Sequence, residues 1–339
     1  MWIETDLEPD ELIALYIFSK AGFTFDYVVV GEGNSKIKTA RIRKYCELLN
    51  IKPVVIEGLP SSKSFENDGK EFNNLEMKDA DHFVNNYEAQ LREYIDSTAN
   101  PVIVSLKPMR ELISCYKELS LANAKLFVYG SFNFRCLKSE TFDLNTLTDM
   151  FQKFKKVNIF ETYYALGEKN ACNNDTTPKL IDKFMSNNNI YLNYTKKLME
   201  LWDADIIEDC KETCISILKK YNIDDLSWLN EKLNKDYFTE HNASNDDISR
   251  FLRNKKTFLQ VSYHKGKQWV AADVGLALVM SNGNISPIPI SLKFDSSGYT
   301  IATKCNENKI NMYYAKESLS VKDGYTSLDF LTEEMIRYL

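Results

Sequence analysis

The chain has 339 residues, 44% hydrophobic and 27% charged, with a formal net charge of −6 and a pI near 5.4. That is the composition of a folded globular chain with one large or two medium domains, and it lacks the basic stripe a nucleic-acid polymer requires. No apolar run reaches the roughly 18 residues that cross a bilayer, the acidic N-terminus is unlike a secretory signal, and the seven cysteines (Cys46, Cys115, Cys136, Cys172, Cys210, Cys214, Cys305) form no CxxC pair, which argues against a zinc cluster or disulfide framework and for reduced thiols in a cytoplasmic compartment.

The first third alternates strand and helix signals. Trp2 to Thr5 read as the end of a strand, and ELIALYIFSKAG as a helix closed by Gly22. FDYVVVGEG is a β-branched run ending in glycines; NSKIKTARIRKYCELLNI carries Ile37, Ala40, Ile42, Cys46 and Leu49 near one helical face; KPVVIEG is a short buried strand. This order predicts a mostly parallel sheet covered by helices. Residues 60–90 are polar and acidic, a long loop leading into a helix expected from about Asp79 to Ser97. PVIVSL (101–106) is the next strand, followed by a helix through Tyr116, and KLFVYGSFNF (125–134) is another strand.

From about 165 to 255 the chain is rich in Asn, Lys, Asp and aromatics and reads as helical, in LNYTKKLMELWDADI, CKETCISILKKY and SWLNEKLNKDYF. It is expected as a helical cap on the sheet or a second small domain. KQWVAADVGLALVM then reads as a helix holding one acid, Asp273. ISLKFD, YTIATK and INMYYA predict an antiparallel extension, and FLTEEMIRYL a closing helix.

Chemistry concentrates in ETDLEPDELIAL. In open α/β sheets ligands sit beyond the carboxyl ends of the strands, and Pro9 fits the first turn of a helix. Glu4, Asp6, Asp10 and Glu11 therefore crowd a strand-to-helix loop. A helix dipole favours each by roughly 0.3–1 kcal/mol, whereas two carboxylates about 5 Å apart repel by about 3 kcal/mol at an effective dielectric near 20. Either the groups fan into water or a divalent cation binds, and oxygen ligands alone indicate Ca²⁺ or Mg²⁺ rather than zinc. Asp273, inside an apolar segment, needs a partner if buried.

ETDLEPDELIAL resembles the DxDPGxDDAxAL signature that opens the nucleoside hydrolase superfamily, with Glu4, Asp6, Asp10 and Glu11 on its acidic positions. Four further stretches resemble that family in the family's order: VVGEGN with Asn34, PVIVSLKPMRELI with its metal-ligand carbonyl at Lys107, VNIFETYYAL with Asn158, and WVAADVGLAL with Asp273. The resemblance spans nearly the whole chain and is loosest over 165–255. It implies an α/β fold with a mostly parallel central sheet, one hydrolase domain over 1–339 with a helical cap insertion at about 165–255, and an antiparallel C-terminal extension.

It also implies an activity: hydrolysis of the N-glycosidic bond of a ribonucleoside or related ribosyl compound, the alternative being an impaired relative with a binding or scaffolding role. Ca²⁺, ahead of Mg²⁺, would be held by Asp6, Glu11, Asp273 and the Lys107 carbonyl, with Glu4 behind them. Asp6 would be the general base, and Asp10, Asn34 and Asn158 would hold the ribose. The implied partners are a small nucleoside or nucleotide and further copies of the chain, as homodimer or homotetramer, with no nucleic-acid polymer and no membrane.

The sequence departs from the family pattern in places. The second acid of the pair is Glu11, the turn glycine is missing at Leu7-Glu8-Pro9, Ala272 stands where many members carry histidine, and Lys156 replaces a glutamate that contacts the ribose 5′ end. Lys156 is thereby expected to favour an anionic 5′ group. The leaving-group acid is sought near the 165–255 region, where His241, Tyr237 and Tyr263 lie, with Tyr191, Tyr194, Trp202 and Trp228 as bases' stacking partners or core.

Overall fold

The structure, a computed structural model, describes residues 1–32, 35–59, 86–130, 134, 143–161, 164–165, 168–169, 186–187, 189–223, 228–264, 272–283, 285–294, 300–314 and 327–338. In chain order the elements are β1 (Trp2–Thr5), α1 (Pro9–Lys20), β2 (Tyr27–Val30), α2 (Ser35–Leu48), β3 (Val54–Glu57), α3 (Tyr87–Ser97), β4 (Val102–Ser105), α4 (Arg110–Cys115), β5 (Lys125–Tyr129), α5 (Leu144–Lys153) and β6 (Lys156–Glu161). There follow β7 (Tyr164–Ala165), β8 (Glu168–Lys169), α6 (Ile190–Lys220), α7 (Lys235–Glu240), α8 (Asn245–His264), α9 (Ala272–Ser281), β9 (Ile288–Phe294), β10 (Thr300–Lys304), β11 (Ile310–Tyr314) and α10 (Ser327–Tyr338).

Nine strands form one sheet in the order β10-β9-β11-β6-β5-β4-β1-β2-β3. From β3 to β11 every pairing is parallel. Antiparallel β9 pairs with β11, and β10 with β9, to make the C-terminal extension. The chain runs from β1 outward to β2 and β3, then crosses to β4 on the other side, so the order reverses at β1, the place where such sheets bind ligands.

The strands are short and β-branched because both faces are covered. One core joins Trp2, Val29, Ile103, Leu126, Val128, Val157 and Ile159 of the sheet to Leu91 and Tyr94 of α3, Leu112 of α4 and Phe151 of α5. Helix α1 is apolar almost all round, with Leu12 to Phe18 buried. It packs along α9, and Tyr45 of α2 donates its hydroxyl to the Leu12 carbonyl at 2.7 Å. Helix α9 lies unusually close to the sheet at Gly275, where a Cβ would fall 2.3 Å from the Phe160 ring.

Several boundaries differ from expectation. Strand β5 stops at Tyr129, and Phe134 is buried against Phe151 and Phe294. Helix α5 adds to the expected elements: Asp143 caps it by accepting from Asn145 N at 2.9 Å, and Leu147, Met150 and Phe151 line its buried face. Two expected helices are one 31-residue helix, α6. The expected start of α3 near Asp79 lies outside the described residues; the helix begins after its cap, Asn86.

The chain divides into two compact units, Met1–Lys196 with Trp269–Leu339, and Lys197–Gln268. The first holds the sheet. The second is helical around Cys214, Leu218, Phe238, Ile248 and Phe251, with Trp228 stacked edge-on against Phe258. No helix among the described residues is long and apolar enough to cross a membrane.

Candidate functional site

Beyond β1 the chain turns sharply into α1. Thr5 Oγ1 accepts from Leu7 N at 3.0 Å, and Leu7, buried, has φ 61°. A left-handed leucine is costly, about 1–3 kcal/mol. Among the described residues the other non-glycine positions with positive φ are Glu32 and three asparagines, the residue type that tolerates this conformation. Leu7 and Glu32 follow the adjacent strands β1 and β2, so backbone strain concentrates at the sheet's reversal point.

Glu11 closes this turn. Its Oε1 accepts from Asp6 N at 3.1 Å and its Oε2 from Glu8 N, a capping arrangement that satisfies free N–H groups at a helix start. Asp273 enters from the first turn of α9, its backbone N–H directed at Asp10 Oδ2 at 3.5 Å. Both acids are buried. Burial first, then the charges of Asp10, Asp6 and Glu8, hold the Asp273 carboxyl well above the usual carboxylate range. Burial first, then Asp6, with Asp273 and Asp10 behind, does the same to Glu11. Asp6, Asp10, Glu11 and Asp273 thus form one electrostatic group, though 263 residues separate Asp10 from Asp273.

A hard cation fits one feature of this group closely: Asp273 Oδ1 is buried and has no hydrogen-bond partner, and every side-chain donor offered is oxygen. Among the described residues no three His, Cys, Asp or Glu side chains are placed to hold a metal ion together, and Glu11 spends both oxygens on backbone N–H groups.

Other expected residues stand elsewhere. Strand alternation puts Glu4 beside Trp2, on the α3 face, away from α1. Its carboxyl meets Tyr87 Oη at 2.8 Å, Ser105 Oγ at 3.0 Å and Trp2 Nε1 at 3.4 Å. Burial raises its pKa, with Lys107 opposing. Ser105 Oγ also lies 2.9 Å from the Lys107 carbonyl. A hydroxyl has one hydrogen, which Ser105 shares between the Glu4 carboxyl and the Lys107 carbonyl. The Lys107 carbonyl is therefore oriented by Ser105.

The Lys107 side chain, which only the structure brings into view, is fully buried in an ion pair with Glu111. Glu111 Oε1 also accepts from Leu59 N at 2.8 Å. This pair fills the space over Gly31 and Gly58, where a Cβ would lie 2.5 Å and 2.3 Å from Glu111 Oε1. Next to it Arg110 pairs with Glu32. Lys107 and Glu111 stand four residues apart, the spacing of a helical ion pair, the one sequence signal that could have flagged them.

Lys156 opens β6 and Asn158 lies in its middle, opposite Phe127 and Asn311. Asn158 is buried and directs its amide at the Leu126 carbonyl, 3.5 Å away. Glu161 stands at the carboxyl end of β6, whereas Lys156 opens the strand at its amino end. Asn34 lies outside the described residues. In the helical unit His241 stacks on Tyr237 with centroids 4.4 Å apart.

The nine-stranded, mostly parallel sheet and its covering helices match the fold of a solved nucleoside hydrolase. The chain is similar to the solved structure of a purine-preferring ribonucleoside hydrolase from Gardnerella vaginalis, at 11% identity and a TM-score of 0.56 over 99% of this chain and 98% of that one. At that identity the likeness is one of fold. No protein-family profile and no curated protein sequence matches the chain.

Proposed function

We infer that the chain is a divalent-cation-dependent N-ribosyl hydrolase that splits a ribonucleoside or related ribosyl compound into base and free ribose. One observation carries the reading: Asp273 Oδ1, buried without a partner, is brought against Asp10 and Asp6 from the far end of the chain. A carboxylate in that state calls for a cation. Asp6, Glu11, Asp273 and the Lys107 carbonyl would hold Ca²⁺, or less readily Mg²⁺, and when bound the ion supplies Lewis-acid charge. The chain's own groups do the rest. Asp6 takes the proton of the attacking water, a role worth typically 10²–10⁴-fold. Asp10 and Asn34 hold ribose hydroxyls. The surrounding carboxylates offset the positive charge that grows on the sugar as the C–N bond breaks. In the same reading the chain is a single hydrolase domain with a helical cap insertion at about 165–255, and the protein works in the cytoplasm as a dimer or tetramer.

A cation- or ribosyl-binding protein without turnover is the second reading, favoured by the capture of both Glu11 oxygens by backbone N–H groups. Purified protein incubated with a panel of nucleosides and nucleotides, with and without chelator, and assayed for free reducing sugar separates the two. Chelator-sensitive sugar release is the expected result. Bound metal with no release from any substrate would replace the first reading by the second.

A further inference from the structure

We propose that Glu32 reads the ligand: its Oε1, held in place by Arg110 on the other carboxylate oxygen, accepts a hydrogen bond from a ribose hydroxyl. The inference rests on the ribosyl-binding reading above and adds to it a residue outside the expected acids.

Three observations support it independently. Glu32 Oε2 pairs with the buried Arg110 guanidinium, and the Glu32 side chain is only 13% exposed, so the carboxylate is fixed. Its Oε1 is buried with no hydrogen-bond partner, although an ionised carboxylate oxygen can only accept and is costly to leave unmet. An ion pair with Arg110 alone would need neither that orphaned oxygen nor the left-handed backbone at Glu32, φ 65°. The conformation is kept by Glu32 N donating to the Leu59 carbonyl at 2.9 Å, and strain of this kind persists where the surroundings enforce it. The place is also right: Gly31 N donates to the Thr5 carbonyl at 3.1 Å, so Glu32 stands one strand from Asp6, at the point where the sheet order reverses. An acceptor-only oxygen there suits an O–H donor.

The test is calorimetric titration of the full chain in Ca²⁺ with a C-linked purine ribonucleoside analogue, which has no N-glycosidic bond to cleave, and its 2′-, 3′- and 5′-deoxy forms, for wild type, Glu32→Gln and Glu32→Ala. Wild type is expected to bind one deoxy form roughly 10- to 100-fold more weakly than the parent, the worth of a hydrogen bond to a charged group. Glu32→Ala should shrink that one difference to about twofold, with Glu32→Gln, which keeps an acceptor and folds if the alanine variant does not, in between. Equal weakening for all four ligands, or an unchanged pattern of discrimination, would overturn the assignment. So would a tenfold loss of Ca²⁺ affinity in Glu32→Gln, which would make the residue a metal ligand. Failure of wild type to bind any ribosyl compound would sink the proposed function itself, and Glu32's role with it.

Discussion

A buried carboxylate oxygen without a partner is an unstable feature to retain, and Asp273 retains one, Oδ1, beside three other acids. Its folded pKa, like that of Glu11, is raised by burial and neighbouring charge. The sign follows from linkage: a group whose pKa is higher folded than unfolded contributes full stability below its unfolded value, and that contribution is lost as pH rises through the folded value. In chelator, the thermal midpoint should therefore fall as pH is raised from about 5, above the ordinary carboxylate range. Asp273→Asn, neutral at every pH, should flatten the fall; an equally steep profile in that variant would show that the acids do not set it. The Lys107–Glu111 pair is the opposite case, two buried charges that satisfy each other. Each is tolerated only because the other is present, since removing one partner of such a pair costs about 3–5 kcal/mol.

At the scale of elements, the site depends on how closely α9 approaches the sheet. Gly275, two residues after Asp273, leaves room for the Phe160 ring of β6. Gly275→Ala gains helix propensity of roughly 1 kcal/mol yet puts a Cβ 2.3 Å from Phe160 Cε1, an overlap that must shift helix or ring at a cost of about 1–3 kcal/mol. We expect a net loss in chemical denaturation and weaker Ca²⁺ binding, because Asp273 moves with its helix. Adding Phe160→Leu should recover part of both, as contacting residues couple. A variant as stable as wild type, with undiminished Ca²⁺ affinity, would mean that this close approach does not place Asp273. Strand register matters in the same way. Alternation turns Glu4 to the α3 face, and pairing with β5 and β11 sets Asn158 three residues short of the strand's carboxyl end.

For the whole molecule, the proposed cation would make the folded chain more stable, because only folding brings the four acids together. A ligand at 100 times its dissociation constant adds about 2.7 kcal/mol of stability. Millimolar Ca²⁺ at neutral pH should raise the thermal midpoint by several degrees and chelator should reverse it, with Mg²⁺ giving less; a midpoint indifferent to both ions would remove the cation from the site. The amino-acid sequence by itself determined the alternating β-α order, the parallel sheet with its antiparallel extension, and the acidic β1–α1 turn, because hydrophobic period, Pro9 and local charge are properties of neighbouring residues. Asp273 could be singled out as an acid in an apolar helix, but its meeting with Asp10 is a contact across 263 positions. Only the tertiary structure decided which side chains share a space: that Glu4 faces away from the other acids, that Lys156 opens its strand at the amino end, that Lys107 carries a buried ammonium, and that Glu32 keeps one oxygen unmet. The reason is geometric, since in a strand one residue of register reverses the face a side chain presents, and register is fixed by partners that the linear chain does not name.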